Sequence, residues 1–126
     1  MADAKTILLI DDDKEILQAL QTILETKGYR IVTAGDGQEG IDMALRESPD
    51  LVVVDMMMPR KSGFLVLEEL KGGGVSSPKV IMITANGGGR HRAYAETLGA
   101  DDYLVKPFSM EQLLASVENI CPQKQA

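Results

Sequence analysis

Side chains that could do chemistry follow four apolar runs of this 126-residue chain. Asp11 and Asp12 come directly after TILLI, Asp55 ends LVVVD, Thr84 ends VIMIT and Lys106 ends YLVK. Three carboxylates gathered at one point cannot all stay ionised cheaply without a cation. Oxygen ligands suit Mg²⁺, and an ammonium group suits a phosphoryl oxygen. If the four runs end side by side, they therefore predict a Mg²⁺-dependent phosphoryl-transfer site.

Each of these residues also has an ordinary explanation. Taken alone, Asp55 is explained more simply as a turn or helix-capping aspartate. Asp11–Asp13 could be a solvated acidic turn, Thr84 the end of a strand and Lys106 a surface charge. Their joint placement at the ends of four predicted strands favours the site over these alternatives.

The apolar runs and the segments between them predict alternating strands and helices, which is typical of a parallel α/β sheet. Leu51–Val54 is unbroken and rich in β-branched residues, as in a strand buried on both faces. The predicted strands are Thr6–Ile10, Tyr29–Ala34, Leu51–Val54, Lys79–Thr84 and Tyr103–Lys106. The predicted helices run from Asp12 to Gly28, over about Gln38–Glu47, Gly63–Leu70 and Arg90–Leu98, and onward from Ser109.

Two of the predicted helices begin with a capping-box pattern. Asp12 is followed at the required spacing by Glu15, and Ser109 by Gln112. We expect Asp12 and Ser109 to be the N-caps of the first and last helices.

The strands differ in how continuous their apolar character is. The first, third and fourth are unbroken and are predicted to be central, whereas the second is interrupted and the fifth is short, as at sheet edges. Right-handed crossovers then favour the order 2-1-3-4-5, a flavodoxin-like doubly wound sheet with helices on both faces. Ligands of such sheets bind where the strand order reverses, and here Asp11, Asp12 and Asp55 lie at that point.

Composition narrows the possible functions. The length fits one domain, and the net charge of −6 argues against direct nucleic-acid binding. No apolar run approaches the length of a membrane span, so no membrane insertion is expected. A single cysteine, Cys121, excludes an intrachain disulfide and a cysteine metal cluster. We expect a cytoplasmic protein.

Four motifs give the chain a family resemblance. They are LLIDDD at residues 8–13, VVDMMMPRKSG at 53–63, IMITA at 81–85 and GADDYLVKPF at 99–108. In this order and spacing they resemble the response-regulator receiver domain, the phosphoacceptor module of two-component signalling. The resemblance extends from about Lys5 to Ile120 and implies the same flavodoxin-like fold.

The resemblance implies a role for each site residue. Asp55 would be the phosphoacceptor. Asp12, Asp55 and the backbone carbonyl of Met57 would bind Mg²⁺ directly, and Asp11 would act mainly through water. Met57 also stands at a position where the family varies, as does Asn86, so the phosphoryl lifetime is not predicted.

The same resemblance implies a switch. Thr84 and Lys106 would contact the phosphoryl group, and Tyr103 matches the aromatic switch position, where its ring would swing from solvent into the space that Thr84 vacates. Without the motif, Tyr103 would be an ordinary edge-strand aromatic. The only histidine, His91, is expected to face solvent from its helix.

The function so implied is that of a stand-alone signalling switch. It would take a phosphoryl group from a sensor histidine kinase or histidine phosphotransfer protein. A target protein would then bind the face formed by the fourth helix, fifth strand and fifth helix. The chain would be no enzyme beyond its own phosphorylation and dephosphorylation.

Three alternatives stay open. The chain could be the receiver fragment of a larger regulator or hybrid kinase. It could be an aspartyl-phosphate phosphatase, although such enzymes usually have a second acid where Met57 stands. It could also be an unphosphorylated scaffold, which the intact acid set argues against.

Overall fold

The fold, described by a computed structural model over residues 4–72, 77–85 and 89–123, is a five-stranded parallel sheet with helices on both faces. The strands are β1 Thr6–Ile10, β2 Arg30–Ala34, β3 Leu51–Asp55, β4 Lys79–Thr84 and β5 Asp102–Val105. The helices are α1 Lys14–Thr26, α2 Gly37–Glu47, α3 Gly63–Gly72, α4 Gly89–Thr97 and α5 Met110–Ile120. The sheet order β2-β1-β3-β4-β5 confirms the predicted topology.

Alternate side chains of the strands fill two cores, one on each face of the sheet. One core joins strand residues such as Val52 to α2, α3 and α4, and includes Ala95. The other joins the intervening residues, such as Val53, to α1 and α5, and includes Leu113. Because both faces are covered, β1 and β3 are buried at every residue, as their unbroken apolar runs predicted.

The start of α1 differs from the prediction. Asp13, and not Asp12, is the N-cap, and its side chain accepts hydrogen bonds from the backbone N–H groups of Glu15 at 2.9 Å and Ile16 at 3.3 Å. The helix begins one residue later than expected, which leaves Asp12 exposed at the end of β1. The predicted capping box at Ser109 and Gln112 is confirmed, with both of its hydrogen bonds formed.

His91 is not the solvent-facing residue that the sequence suggested. Its ring is half-buried and lies 6.2 Å from that of Phe64 on α3. Its Nδ1 has no hydrogen-bond partner among the residues that the structure describes. The aromatic contact across α3 and α4 explains why this polar side chain turns inward.

A tight turn joins β3 to α3. The N–H of Gly63 donates to the carbonyl of Met56 at 2.9 Å, and a Cβ at Gly63 would collide with the backbone carbonyl of Asp55. Glycine is therefore required where the first turn of α3 crosses the end of β3. Within the same turn Arg60 adopts a left-handed conformation, with a φ of 68°.

The backbone of Arg60 gives a stability prediction. A left-handed residue with a Cβ is strained, so Arg60→Gly should raise the free energy of unfolding by up to about 1 kcal/mol. Arg46→Gly, at an exposed helical position of α2, should lower it by about 1 kcal/mol. Urea unfolding followed by circular dichroism measures both. Equal destabilisation by the two glycines would contradict the assigned conformation of Arg60.

Candidate functional site

The predicted site residues meet at the carboxyl ends of β1, β3, β4 and β5. Ile10 pairs with Val54 across β1 and β3, so the next residues, Asp11 and Asp55, leave adjacent strands at the same level. Carboxylate oxygens of Asp11, Asp12 and Asp55 all lie within 4.8 Å of one another. Asp11 and Asp55 are only 4% and 6% exposed, whereas Asp12 is exposed. Asp11 and Asp55 thus form a buried pair, and Asp12 lies beside them on the side that is open to solvent.

Backbone hydrogen bonds hold the two buried acids in place. The N–H of Asp11 donates to the carbonyl of Ala34 at 3.2 Å, which carries the β1–β2 pairing one residue further. The N–H of Asp13 donates to Oδ1 of Asp11 at 2.9 Å, and the N–H of Met57 to Oδ1 of Asp55 at 3.4 Å. Each carboxylate therefore has one oxygen bound by its own loop and the other turned toward the site.

Lys106 lies between the two buried acids. Its Nζ is 3.8 Å from Oδ2 of Asp11 and 3.8 Å from Oδ2 of Asp55. Its backbone N–H donates to the carbonyl of Thr84 at 2.7 Å, which fixes the lysine at the end of β4. The Lys106–Pro107 peptide, directly after the lysine, is cis. One ammonium group thus lies near the two buried carboxylates of a site that contains three.

Burial makes the ionised acids costly. The pKa of Asp11 is raised to about 6, chiefly by burial and also by the negative charge of Asp55, although the hydrogen bond from Asp13 acts in the opposite direction. Burial likewise raises the pKa of Asp55, opposed mainly by the positive charge of Lys106. The lysine therefore offsets only part of the cost of burying these two carboxylates.

The donor set fits a small, hard cation. All three candidate side-chain ligands are carboxylates, the class of ligand that Mg²⁺ prefers. The exposed position of Asp12 leaves one side open for the water ligands that Mg²⁺ retains. Met57, whose backbone carbonyl is the fourth predicted ligand, follows in the loop after β3, and its side chain is 65% exposed.

A family comparison decides what kind of domain this is. A family model described as the response regulator receiver domain matches residues 7–118 of the chain. The chain belongs to this family. Receiver domains are the phosphorylation-dependent modules of two-component signalling, so the function class predicted from the motifs is confirmed.

Curated relatives of this receiver domain are transcriptional regulators. The chain is 43% identical over 116 residues to the probable transcriptional regulator ycf27 of Cyanophora paradoxa, covering 92% of this chain and 48% of the relative. It is 41% identical over 114 residues to the transcriptional regulatory protein CpxR of Escherichia coli K12, covering 90% and 48%. The receiver domain thus spans about half the length of these relatives.

Solved structures share the fold. The Francisella response regulator 1452 receiver domain has a TM-score of 0.86 at 32% identity, covering 92% of this chain and 95% of that one. The CheX–CheY–BeF₃–Mg²⁺ complex of Borrelia burgdorferi contains a chain with a TM-score of 0.87 at 27% identity, covering 92% of this chain and 88% of that one.

Within the described residues of the receiver domain, no helix is long and apolar enough to cross a membrane.

The two predicted switch residues are both buried. Thr84 is 0% exposed at the end of β4, directly beside the site. Tyr103 is 4% exposed, and its hydroxyl lies 3.9 Å from Sδ of Met56. The expectation that the tyrosine ring starts in solvent is therefore wrong, because contacts within the receiver domain already hold it inward. Asn86, singled out for phosphoryl lifetime, lies outside the described residues.

The raised pKa of Asp11 gives a pH-dependent prediction for the metal-free protein. Because the folded pKa lies above the unfolded one, ionised Asp11 destabilises the fold increasingly as the pH rises from about 4 through about 6. In excess chelator, Asp11→Asn should match the wild type near pH 4 and exceed its free energy of unfolding by about 1–3 kcal/mol at pH 7. Urea unfolding across this pH range measures the difference.

The same experiment has an internal control. Saturating Mg²⁺ at pH 7 should stabilise the wild type more than Asp11→Asn, since the variant has lost one of the acids that repel each other. A stability difference between variant and wild type that stays constant from pH 4 to pH 7 would contradict the electrostatic account of this site.

Proposed function

We propose that this receiver domain is a signalling switch that accepts a phosphoryl group on Asp55 from a sensor histidine kinase or histidine phosphotransfer protein. One observation carries the proposal: a buried carboxylate at the end of a central strand lies within 4.8 Å of two other carboxylates and 3.8 Å from a lysine. A nucleophile, cation ligands and a phosphoryl-binding ammonium group are the parts that phosphoryl transfer needs. We expect the switch to work in the cytoplasm, with its kinase.

The chemistry assigns a step to each residue. An oxygen of Asp55 attacks the phosphorus of the donor's phosphohistidine, so that an O–P bond forms as the P–N bond breaks. The leaving imidazole keeps the electron pair and takes a proton from solvent. Lys106 and the hydroxyl of Thr84 donate hydrogen bonds to the phosphoryl oxygens. Attack of water on the phosphorus later breaks the bond between Asp55 and the phosphoryl group, releases inorganic phosphate and restores the carboxylate, which resets the switch.

Mg²⁺ is the proposed cofactor. Asp12, Asp55 and the Met57 carbonyl would hold it, with Asp11 acting through water. When bound, it would supply positive charge to both the carboxylates and the transferring phosphoryl group. The close approach of three carboxylates and the raised pKa of Asp11 support this assignment, because the chain's own lysine leaves negative charge uncompensated.

The receiver domain would act on no substrate other than its own phosphoryl group. A phosphatase of the aspartyl-phosphate type usually has a second acid two residues after the nucleophile, where this chain has Met57. The exposed thioether of Met57 cannot exchange a proton with a leaving group. This difference supports a switch over an enzyme.

The proposed output surface is the face formed by α4, β5 and α5. It carries the apolar side chain of Val105 on β5, which is 37% exposed. Of all residues of α4, only Ala95 is buried, so this helix is held by little apolar contact. We propose that a downstream target protein binds here without direct contact to nucleic acid. In a longer regulator, suggested by relatives of twice the length, the target would be an attached domain.

The phosphoacceptor assignment predicts the outcome of one substitution. Asp55→Asn should reduce labelling by ³²P-acetyl phosphate to background, because the amide is no nucleophile for phosphorus, while circular dichroism shows an intact fold. Asp13→Asn is the matched control, since asparagine also caps a helix and Asp13 has no proposed catalytic role. Labelling of Asp55→Asn at the wild-type level would refute the assignment.

The metal assignment predicts the effect of removing its exposed ligand. Asp12→Ala should weaken Mg²⁺ binding by about tenfold or more, a loss of at least about 1.4 kcal/mol, and should slow labelling to match. Isothermal titration calorimetry measures the binding, again with Asp13→Asn as the control. Undiminished labelling of the wild type in excess chelator would remove Mg²⁺ from the mechanism.

A further inference from the structure

An arginine from α4 covers the switch tyrosine. The guanidinium carbon of Arg92 lies 5.8 Å from the centroid of the Tyr103 ring, within the range of a cation–π interaction. Arg92 is exposed, whereas Tyr103 is 4% exposed although β5 is an edge strand. Arg92 thus covers the ring of Tyr103 at the edge of the sheet.

Beneath the arginine, the ring of Tyr103 touches the residue that follows the phosphoacceptor. Its hydroxyl lies 3.9 Å from Sδ of Met56, which is 2% exposed. The backbone of Met56 is fixed in turn, because its N–H donates to the carbonyl of Ile83 at 2.7 Å and its carbonyl accepts from Gly63 at 2.9 Å. The position of the ring is therefore coupled directly to the loop that carries Asp55.

The contact also matters for α4. With Ala95 as its only buried residue, this helix depends on side chains that reach its neighbours. Tyr94 reaches toward α3, where its ring packs edge-to-face on Phe64 at 4.9 Å. Arg92 reaches the other way, to β5. Through this contact between Arg92 and Tyr103, α4 can influence the position of the Tyr103 ring.

We propose that Arg92 is a positioning residue that holds Tyr103 inward in the unphosphorylated domain and so sets the resting level of the switch. Arg92 touches neither the phosphoryl group nor the metal; it acts through the ring. An exposed cation–π contact should change the ratio of inward to outward ring by about two- to fivefold. Arg92 thus adds to the contacts, such as that with Met56, that already favour the inward ring before phosphorylation.

A second consequence rests on the function proposed above. If phosphorylation favours the inward ring, a domain that already holds the ring inward binds a phosphoryl analogue more tightly, in proportion to the inward fraction. Beryllofluoride with Mg²⁺ is the appropriate probe, since both accompany a structurally similar chain. Loss of the Arg92 contact should then weaken beryllofluoride binding by up to the same two- to fivefold.

Four variants separate the contributions of Arg92. Arg92→Ala removes charge and cover, Arg92→Met keeps apolar cover without charge, and Arg92→Lys keeps charge without the planar group. Arg90→Ala is the matched control, an exposed arginine two residues earlier on the same helix. Alanine favours helix, so a moved ring in Arg92→Ala cannot be attributed to a lost α4.

The first readout needs no phosphorylation. In the metal-free wild type, nuclear Overhauser effects between the Tyr103 ring and the Met56 methyl group report the inward position. They should weaken in Arg92→Ala in proportion to the loss of the inward fraction, by at most about two- to fivefold, less in Arg92→Met and Arg92→Lys, and not at all in Arg90→Ala. Their absence in the wild type, or equal strength in wild type and Arg92→Ala, would overturn the proposal.

The second readout is the affinity for beryllofluoride, measured by fluorine nuclear magnetic resonance. Arg92→Ala should bind it more weakly than the wild type, by up to about two- to fivefold, and Arg90→Ala should bind it equally well. If Arg92→Ala moves the ring yet binds with unchanged affinity, Arg92 does not set the switch and the proposal fails. If no variant nor the wild type binds beryllofluoride, the proposed function fails, and the ring contacts alone decide the role of Arg92.

Discussion

Two carboxylates buried side by side without matching positive charge are the constraint on which this site depends. The pairing of Ile10 with Val54 brings Asp11 and Asp55 to the same level, and the covered faces of β1 and β3 leave them little water. Burial therefore raises the pKa of both, and Lys106, 3.8 Å from each, offsets only part of the cost. The domain gives up stability at this point in a way that a bound cation can restore.

The elements around the acids keep this arrangement open on one side. Capping by Asp13 starts α1 late, so that Asp12 remains exposed beside the buried pair. Because Gly63 has no Cβ, α3 can begin in contact with the end of β3, and the loop after Asp55 is closed by the hydrogen bond from Gly63 to Met56. On the far side, Tyr103 contacts Met56, so the phosphoacceptor loop and the edge strand share one packing contact. A change at Asp55 can therefore reach β5 through the contact between Met56 and Tyr103.

The sequence predicted those features that depend on local pattern and failed on those that depend on distant contacts. Unbroken apolar runs indicated the central strands, and the short or interrupted ones the edges, so the order followed. The N-cap was misplaced because the spacing of Asp12 and Glu15 satisfies the capping pattern, yet Asp13 caps α1 without that pair. The inward positions of His91 and Tyr103 depend on Phe64 and Met56, which no periodicity connects to them.

Chemical trapping of the phosphorylated residue tests the central claim most directly. Borohydride reduces an aspartyl phosphate to homoserine, which mass spectrometry of proteolytic peptides then locates in the wild-type chain. After incubation with acetyl phosphate and Mg²⁺, we expect homoserine at position 55 alone. Homoserine at Asp11 or Asp12, or a phosphoryl group retained on His91, would contradict it.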